Sequence, residues 1–145
     1  MIAVDTNLLV YAHRRDSPWH EPAARRIREL AEGTASWAIP WPCLHEFLAI
    51  VTHERIYKPP SPLSKALDQI TAWLESPSLV LLSESDGYLT TLMELLTAAR
   101  ITGPRIHDAR IAALCLHANA RELLSADRDF SRFAALKTRN PLARA

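Results

Sequence analysis

Four acidic side chains are placed where carboxylates can act together. Asp5 and Asp127 each follow a short apolar run of the kind that forms a buried strand. Glu46 and Asp108 lie early in segments whose apolar residues recur at helical spacing. Carboxylates that share one cleft repel one another, and some stay protonated unless a cation neutralises them. The sequence therefore predicts a metal site built from Asp5, Glu46, Asp108 and Asp127.

The cation that suits such a site is Mg²⁺, with Mn²⁺ as the alternative, because hard divalent ions take oxygen ligands. An ion held in this way lowers the pKa of a bound water, orients that water and stabilises charge on a phosphate during an in-line displacement. The reaction that fits these acids is hydrolysis of a phosphodiester bond by a metal-activated water.

Each acid also has an ordinary structural explanation. Asp5 could cap the helix that follows it, and Asp108 could be a first-turn acid that favours the helix dipole. Asp127 could be a turn aspartate. Glu46 is the hardest to explain in this way, because its neighbours at three- and four-residue spacing are apolar and a carboxylate there needs a partner.

The apolar patterns define the elements that must position these acids. Unalternating runs predict strands at 2–4, 36–39, 79–82 and 122–125, with a marginal edge strand at 136–138. Helical spacing, caps and prolines predict helices at 8–12, 21–32, 41–52, 63–75, 86–101 and 105–119.

Three details of these elements are specific expectations. The strand at 79–82 does not alternate, so we expect it to be covered on both faces. Ser61 or Ser64 is expected to cap the helix at 63–75. Trp41 belongs to an apolar stripe of the helix at 41–52, which is apolar on both sides and is expected to be largely buried.

Alternating strands and helices indicate the α/β fold class. In such folds the carboxyl ends of the strands and the amino ends of the following helices share one edge of the sheet. All four acids can therefore converge on that edge.

The composition is that of an ordinary globular protein, and the 145 residues suit a single domain over residues 1–145. The formal net charge is +1, so no overall basic field indicates a nucleic-acid partner. Cys43 and Cys115 lie far apart in apolar helical patterns, which favours buried thiols over a zinc site.

No apolar run of about 18 residues is present to span a membrane. The N-terminus also lacks a basic region followed by a signal-peptide core. We therefore expect no membrane association and a cytoplasmic protein.

The acids lie in four motifs that together resemble those of PIN domains, and most closely those of the VapC toxins of bacterial toxin-antitoxin systems. In chain order the motifs are Val4-Asp5-Thr6-Asn7, His45-Glu46-Phe47, His107-Asp108-Ala109 and Ser125-Ala126-Asp127-Arg128-Asp129-Phe130. The first motif alone is weakly specific, whereas the ordered set of four covers essentially the whole chain.

The resemblance implies a three-layer α/β/α sandwich around a mostly parallel sheet of four or five strands. It implies an endoribonuclease that binds Mg²⁺ or Mn²⁺, cuts single-stranded or structured RNA and serves as a toxin. It also implies a homodimer and a small cognate antitoxin that blocks the active site. By the same resemblance, the metal would be bound by Asp5, Glu46, Asp108 and Asp127, and Asn7 and Ser125 would support the site by hydrogen bonding.

Two points of the resemblance stay open. The last motif of the family more often begins with threonine, where this chain has Ser125, although either hydroxyl can form the same hydrogen bond. Asp129 competes with Asp127 for the role of fourth acid. The alternative function is a catalytically silent PIN-like module that binds RNA or a protein, but such a module has no need for a repulsive carboxylate cluster.

Other hydrolase classes fail on single residues. A zinc-protease helix that begins at His45 needs a second histidine at position 49, which is alanine. A haloacid-dehalogenase-type phosphatase needs a second aspartate two residues after the first, where this chain has Asn7. The three glycines are too scattered to form a phosphate-binding loop.

Overall fold

The computed structural model describes residues 1–142, which form a five-stranded sheet and six α-helices. The strands are β1 (Ile2–Val4), β2 (Trp37–Pro40), β3 (Leu79–Leu82), β4 (Glu122–Leu124) and β5 (Thr138–Arg139). The helices are α1 (Thr6–His13), α2 (His20–Glu32), α3 (Trp41–Val51), α4 (Leu63–Leu74), α5 (Tyr88–Ala99) and α6 (Ile106–His117). The predicted α/β class is confirmed.

All neighbouring strands are parallel, in the order β3-β2-β1-β4-β5. The chain moves outward from β1 to β3 and then returns across the sheet to β4. Because crossover connections between parallel strands are right-handed, the outward and returning connections lie on opposite faces. Helices α1 to α4 therefore form one layer and α5 with α6 the other, which is the predicted three-layer sandwich.

The strand order reverses between β1 and β4. These strands pair in register, with Val4 beside Leu124, and the amide of Asp5 donates to the carbonyl of Leu124 at 2.9 Å. Reversal points of this kind leave a crevice beyond the carboxyl ends of the strands. Asp5 and the segment that begins at Ser125 are the first residues to enter that crevice.

The outer strand β3 differs from expectation. Val80 at its centre is 40% exposed, so the expectation that this strand is covered on both faces is wrong. The apolar run is real, but β3 pairs only with β2 within residues 1–142 and lies at the rim of the sheet. Periodicity distinguishes a strand from a helix but not a central strand from an outer one.

Two further details also differ. Pro62 occupies the N-cap position of α4 without a side-chain bond, so neither Ser61 nor Ser64 caps this helix. The Ser61 hydroxyl instead lies 2.9 Å from Nε2 of His13. Trp41 is 40% exposed at the start of α3, so it is not part of a buried stripe as expected.

The edge strand β5 (Thr138–Arg139) begins at the last residue of the predicted strand at 136–138. Glu122 of β4 is buried, and one of its carboxylate oxygens lies 3.3 Å from Arg139 and 3.7 Å from Lys137. The geometry to Arg139 is an ion pair without a well-aligned hydrogen bond. A buried carboxylate needs such cations, and both come from the segment that forms β5.

None of the helices in residues 1–142 has the length and apolarity needed to cross a bilayer.

Candidate metal centre

Asp5 is the buried acid of the crevice, with 4% of its surface exposed. It is the N-cap of α1, and its Oδ1 accepts a hydrogen bond from the amide of Thr6 at 2.8 Å. Its Oδ2 accepts a bond from the hydroxyl of Ser125 at 2.7 Å. The thiol of Cys43 approaches Oδ1 at 3.7 Å. Asp5 is thus both a helix cap and a carboxylate fixed in the crevice.

Asn7 and Ser125 connect the ends of β1 and β4. The Asn7 amide nitrogen lies 3.4 Å from Asp5 Oδ2 and 3.3 Å from Ser125 Oγ, as a donor to both. Its carbonyl accepts from the amide of Ala126 at 3.2 Å, and Ser125 Oγ accepts from the amide of Asp127 at 3.0 Å. These bonds fix the direction in which the chain leaves β4 toward Asp127.

Glu46 is half-buried on α3 and obtains its partner from α1. The hydroxyl of Thr6 donates to Glu46 Oε2 at 2.7 Å, so one threonine joins the two acids through its backbone and its side chain. Sequence reasoning missed Thr6. The sequence feature that could have indicated it is a hydroxyl residue directly between Asp5 and Asn7, in the first turn of the helix that Asp5 caps.

The most closely grouped acids are Asp108, Asp127 and Asp129, each of which offers a carboxylate oxygen within 4.8 Å of the others. Asp108 enters from the first turn of α6. The amide of Asp129 donates to Asp127 Oδ1 at 2.9 Å, which is the turn interaction considered for Asp127. The turn therefore sets two carboxylates side by side. Asp129, which was only a competitor in the prediction, lies close to both Asp108 and Asp127.

The electrostatic environment couples all these acids. Burial raises the pKa of Asp5 from 3.8 to about 6, against the lowering effect of the hydrogen bonds from Ser125 and Thr6. The charges of Glu46 and Asp127 raise this pKa further. Burial also raises the pKa of Asp108, followed by the charges of Asp127, Glu46 and Asp129, while Arg105 opposes the shift.

The donor set fits a hard divalent cation. Two oxygens bound to one Mg²⁺ lie at most about 4.2 Å apart, twice the usual Mg–O distance. The spacing of up to 4.8 Å among three of the acids is close to that limit, so small side-chain rotations suffice. All the offered ligands are carboxylate oxygens, which Mg²⁺ and Mn²⁺ prefer. The assignment of Asp5, Glu46, Asp108 and Asp127 as ligands stays a prediction.

The amino-acid sequence matches the PIN domain family model over residues 2–136, which is most of the chain. The chain therefore belongs to the PIN domain family, and the resemblance predicted from the four motifs is confirmed.

Within this family, the chain is similar to proteins named VapC ribonucleases. Ribonuclease VapC43 of Mycobacterium tuberculosis is 34% identical over 142 residues, which are 98% of this chain and 96% of the relative. Ribonuclease VapC33 of the same organism is 32% identical and covers 98% of this chain and 99% of the relative. The solved structure of VapBC2 from Rickettsia felis, bound to a promoter DNA fragment, has a TM-score of 0.70 at 21% identity. That match covers 97% of this chain and 98% of the neighbour, and it shows the shared fold.

The raised pKa of Asp5 predicts a pH-dependent stability. Between its ordinary pKa of 3.8 and the folded value of about 6, the folded state holds the proton more tightly than the unfolded state. The metal-free wild type should therefore lose free energy of unfolding, relative to Asp5→Asn, as the pH rises through this range. The loss is about 3 kcal/mol. Urea denaturation in EDTA at several pH values measures it.

Asp68→Asn is the matched control, because Asp68 is exposed on α4. It should follow the pH dependence of the wild type. If Asp5→Asn also follows the wild type in parallel, the Asp5 carboxyl has an ordinary pKa in the folded protein.

Proposed function

We propose that this protein is an endoribonuclease that requires Mg²⁺, or Mn²⁺ in its place, and hydrolyses RNA phosphodiester bonds as the toxin of a toxin-antitoxin pair. The observation that carries the proposal is the meeting of Asp108, Asp127 and Asp129 within 4.8 Å, at the reversal point of the sheet. The ribonuclease names of VapC43 and VapC33 support it. We place this activity in the cytoplasm, where RNA is translated.

Each residue of the site has a proposed role. Asp5, Glu46, Asp108 and Asp127 would hold the cation, with Asp129 beside Asp108 and Asp127. The bound cation supplies activation of water and neutralisation of phosphate charge. Ser125 keeps Asp5 Oδ2 in a fixed direction.

Proton release accompanies loading of such a site. The Asp5 carboxyl has a pKa of about 6, so a fraction of the metal-free protein holds a proton there near neutral pH. Asp5 would give up that proton when a cation binds, because the cation would favour the ionised carboxylate, and the affinity for the cation would fall as the pH falls. The Thr6 hydroxyl donates to Glu46 Oε2 and so holds Glu46 in place.

Cleavage of RNA by the purified, antitoxin-free protein tests this function. Wild type should cut RNA in Mg²⁺ or Mn²⁺ and stop on chelation, while Asp5→Asn and Asp108→Asn lose about 100-fold or more of the rate. Asp68→Asn should keep wild-type activity. Activity that survives chelation, or equal cleavage by both site variants, rejects the mechanism. A silent binding module would bind RNA and leave it intact.

Measurements of metal affinity can show whether Asp127 or Asp129 is the fourth acid. Asp129 lies 3.8 Å from Arg105, which partly neutralises it, whereas Asp127 is fixed by Ser125 at the end of β4. We expect Asp127→Asn to weaken Mn²⁺ affinity by about 100-fold and Asp129→Asn by about tenfold, the scale of a supporting residue. Calorimetric titration with Mn²⁺ measures both. The reverse order would make Asp129 the fourth acid.

We also infer two assemblies, a homodimer and a complex with a small antitoxin. Exposed apolar side chains are concentrated on two helices, at Leu63, Leu67 and Leu74 of α4 and at Leu89 and Met93 of α5. Such side chains favour association with a second surface. The Rickettsia felis neighbour, VapBC2, carries the name of a two-component complex, which supports the second assembly.

Light scattering of the purified chain should give about twice its 16.3 kDa mass at high micromolar concentration. Co-expression with the product of the adjacent reading frame should give a complex in which RNA cleavage is suppressed. A monomer mass in the light-scattering experiment contradicts the dimer. Full activity of the complex contradicts the blocking role of the antitoxin.

A further inference from the structure

A groove begins beside the acid cluster of Asp108, Asp127 and Asp129 and runs along the carboxyl ends of β4 and β5. Its first part is a cavity of about 420 Å³, lined in part by Ser125 and Asp127 and also by Arg128. Ser125 bonds to Asp5, and Asp127 belongs to the acid cluster, so this cavity opens directly beside the proposed site of hydrolysis. Anything bound in it is adjacent to the reacting phosphate.

The groove continues to the turn between α1 and α2. A second cavity of about 340 Å³ is lined there by Tyr11 and Trp19. Three residues line both cavities, Ala126, Arg128 and Asn140, so the two cavities are adjacent. Each cavity falls in the size range of small-ligand sites, about 300 to 1,000 Å³.

Arg128 stands at the junction of the two cavities. It is exposed and forms no ion pair with any residue of the described chain, 1–142. The arginines Arg105 and Arg110 each lie within 4 Å of a carboxylate. A free guanidinium one residue from Asp127 is suited to an anion that arrives with the substrate, and its planar fork matches a phosphate.

Trp19 stands at the far end, with 46% of its surface exposed. Its backbone is fixed, because its amide donates to the hydroxyl of Ser17 at 3.1 Å. The next residue, His20, contacts the carbonyl of Tyr11 at 3.0 Å through Nδ1. An exposed indole on a fixed turn, in a cavity that Tyr11 also lines, is a platform on which a nucleobase can stack.

We propose that this groove binds a single-stranded segment of the RNA next to the cleaved bond, with Arg128 on a backbone phosphate and Trp19 stacked on an unpaired base. The proposal rests on the proposed ribonuclease function, for which it names two residues that bind the substrate. Bases in a duplex are stacked on each other and offer no free face to Trp19. From the acid cluster outward, the guanidinium of Arg128 comes first and the ring of Trp19 second, an order that matches a strand in which phosphate and base alternate.

The test is binding, measured apart from cleavage. Fluorescence anisotropy follows a labelled single-stranded oligoribonucleotide in Ca²⁺ in place of Mg²⁺, and a gel confirms that the RNA stays intact. Arg128→Gln should weaken binding and reduce the slope of log affinity against log salt by about 0.7, the value for one lost phosphate contact on a single strand. Trp19→Leu should weaken binding about tenfold, whereas Trp19→Phe should retain most of the affinity.

Arg28→Gln is the matched control, since Arg28 is exposed on α2 and its loss removes the same charge away from the groove. It should leave both the affinity and the salt slope near wild type. Thermal unfolding confirms that each variant is folded. Unchanged RNA affinity in Arg128→Gln and Trp19→Leu, or binding of a duplex as tight as of the single strand, overturns the proposal.

The experiments can reject the RNA-binding groove and the ribonuclease function independently of each other. If the wild type cuts RNA in Mg²⁺ while the groove variants bind like wild type, the groove is wrong and the ribonuclease stands. If the groove variants lose affinity as expected while no metal-dependent cleavage occurs, the groove binds RNA and the proposed catalysis is wrong.

Discussion

The burial of a carboxylate at the reversal point of the sheet is the constraint on which the site depends. Asp5 is 4% exposed, and the resulting loss of hydration raises its pKa to about 6 despite the hydrogen bonds from Ser125 and Thr6. Those bonds come from opposite parts of the chain, Thr6 after β1 and Ser125 after β4. A cation at the same place would recover part of the free energy that burial of the charge costs.

Ordinary local roles and functional geometry coincide in this protein. Asp5 caps α1, and the cap brings Thr6 to the position from which its hydroxyl bonds Glu46. Asp127 accepts the amide of Asp129 in a turn, and the turn sets both carboxylates beside Asp108. The helix-cap explanation is therefore correct for Asp5, and the turn explanation is correct for Asp127. The same cap and turn also position the carboxylate oxygens of the site.

Much of the fold was predictable because it depends on local pattern. The apolar runs at β1 and β4 and the acids that end them could be recognised from spacing alone. The exposure of Val80 could not, because the rim position of β3 depends on strand order. The bond from Thr6 to Glu46 spans 40 residues and depends on packing that no local pattern encodes. For the same reason the sequence placed Asp127 and Asp129 as competitors, whereas the fold brings both within reach of Asp108.

The bond between Asp5 and Ser125 joins residues that are 120 positions apart in the chain. During synthesis, β1 emerges early and must remain an unpaired edge on that side until β4 leaves the ribosome. At about 5 to 20 residues per second, the delay is roughly 6 to 24 s. Asp5 has its neighbour Thr6 during this time but lacks Ser125 and Asp127. The acidic site is therefore incomplete until Ser125 and Asp127 have emerged from the ribosome.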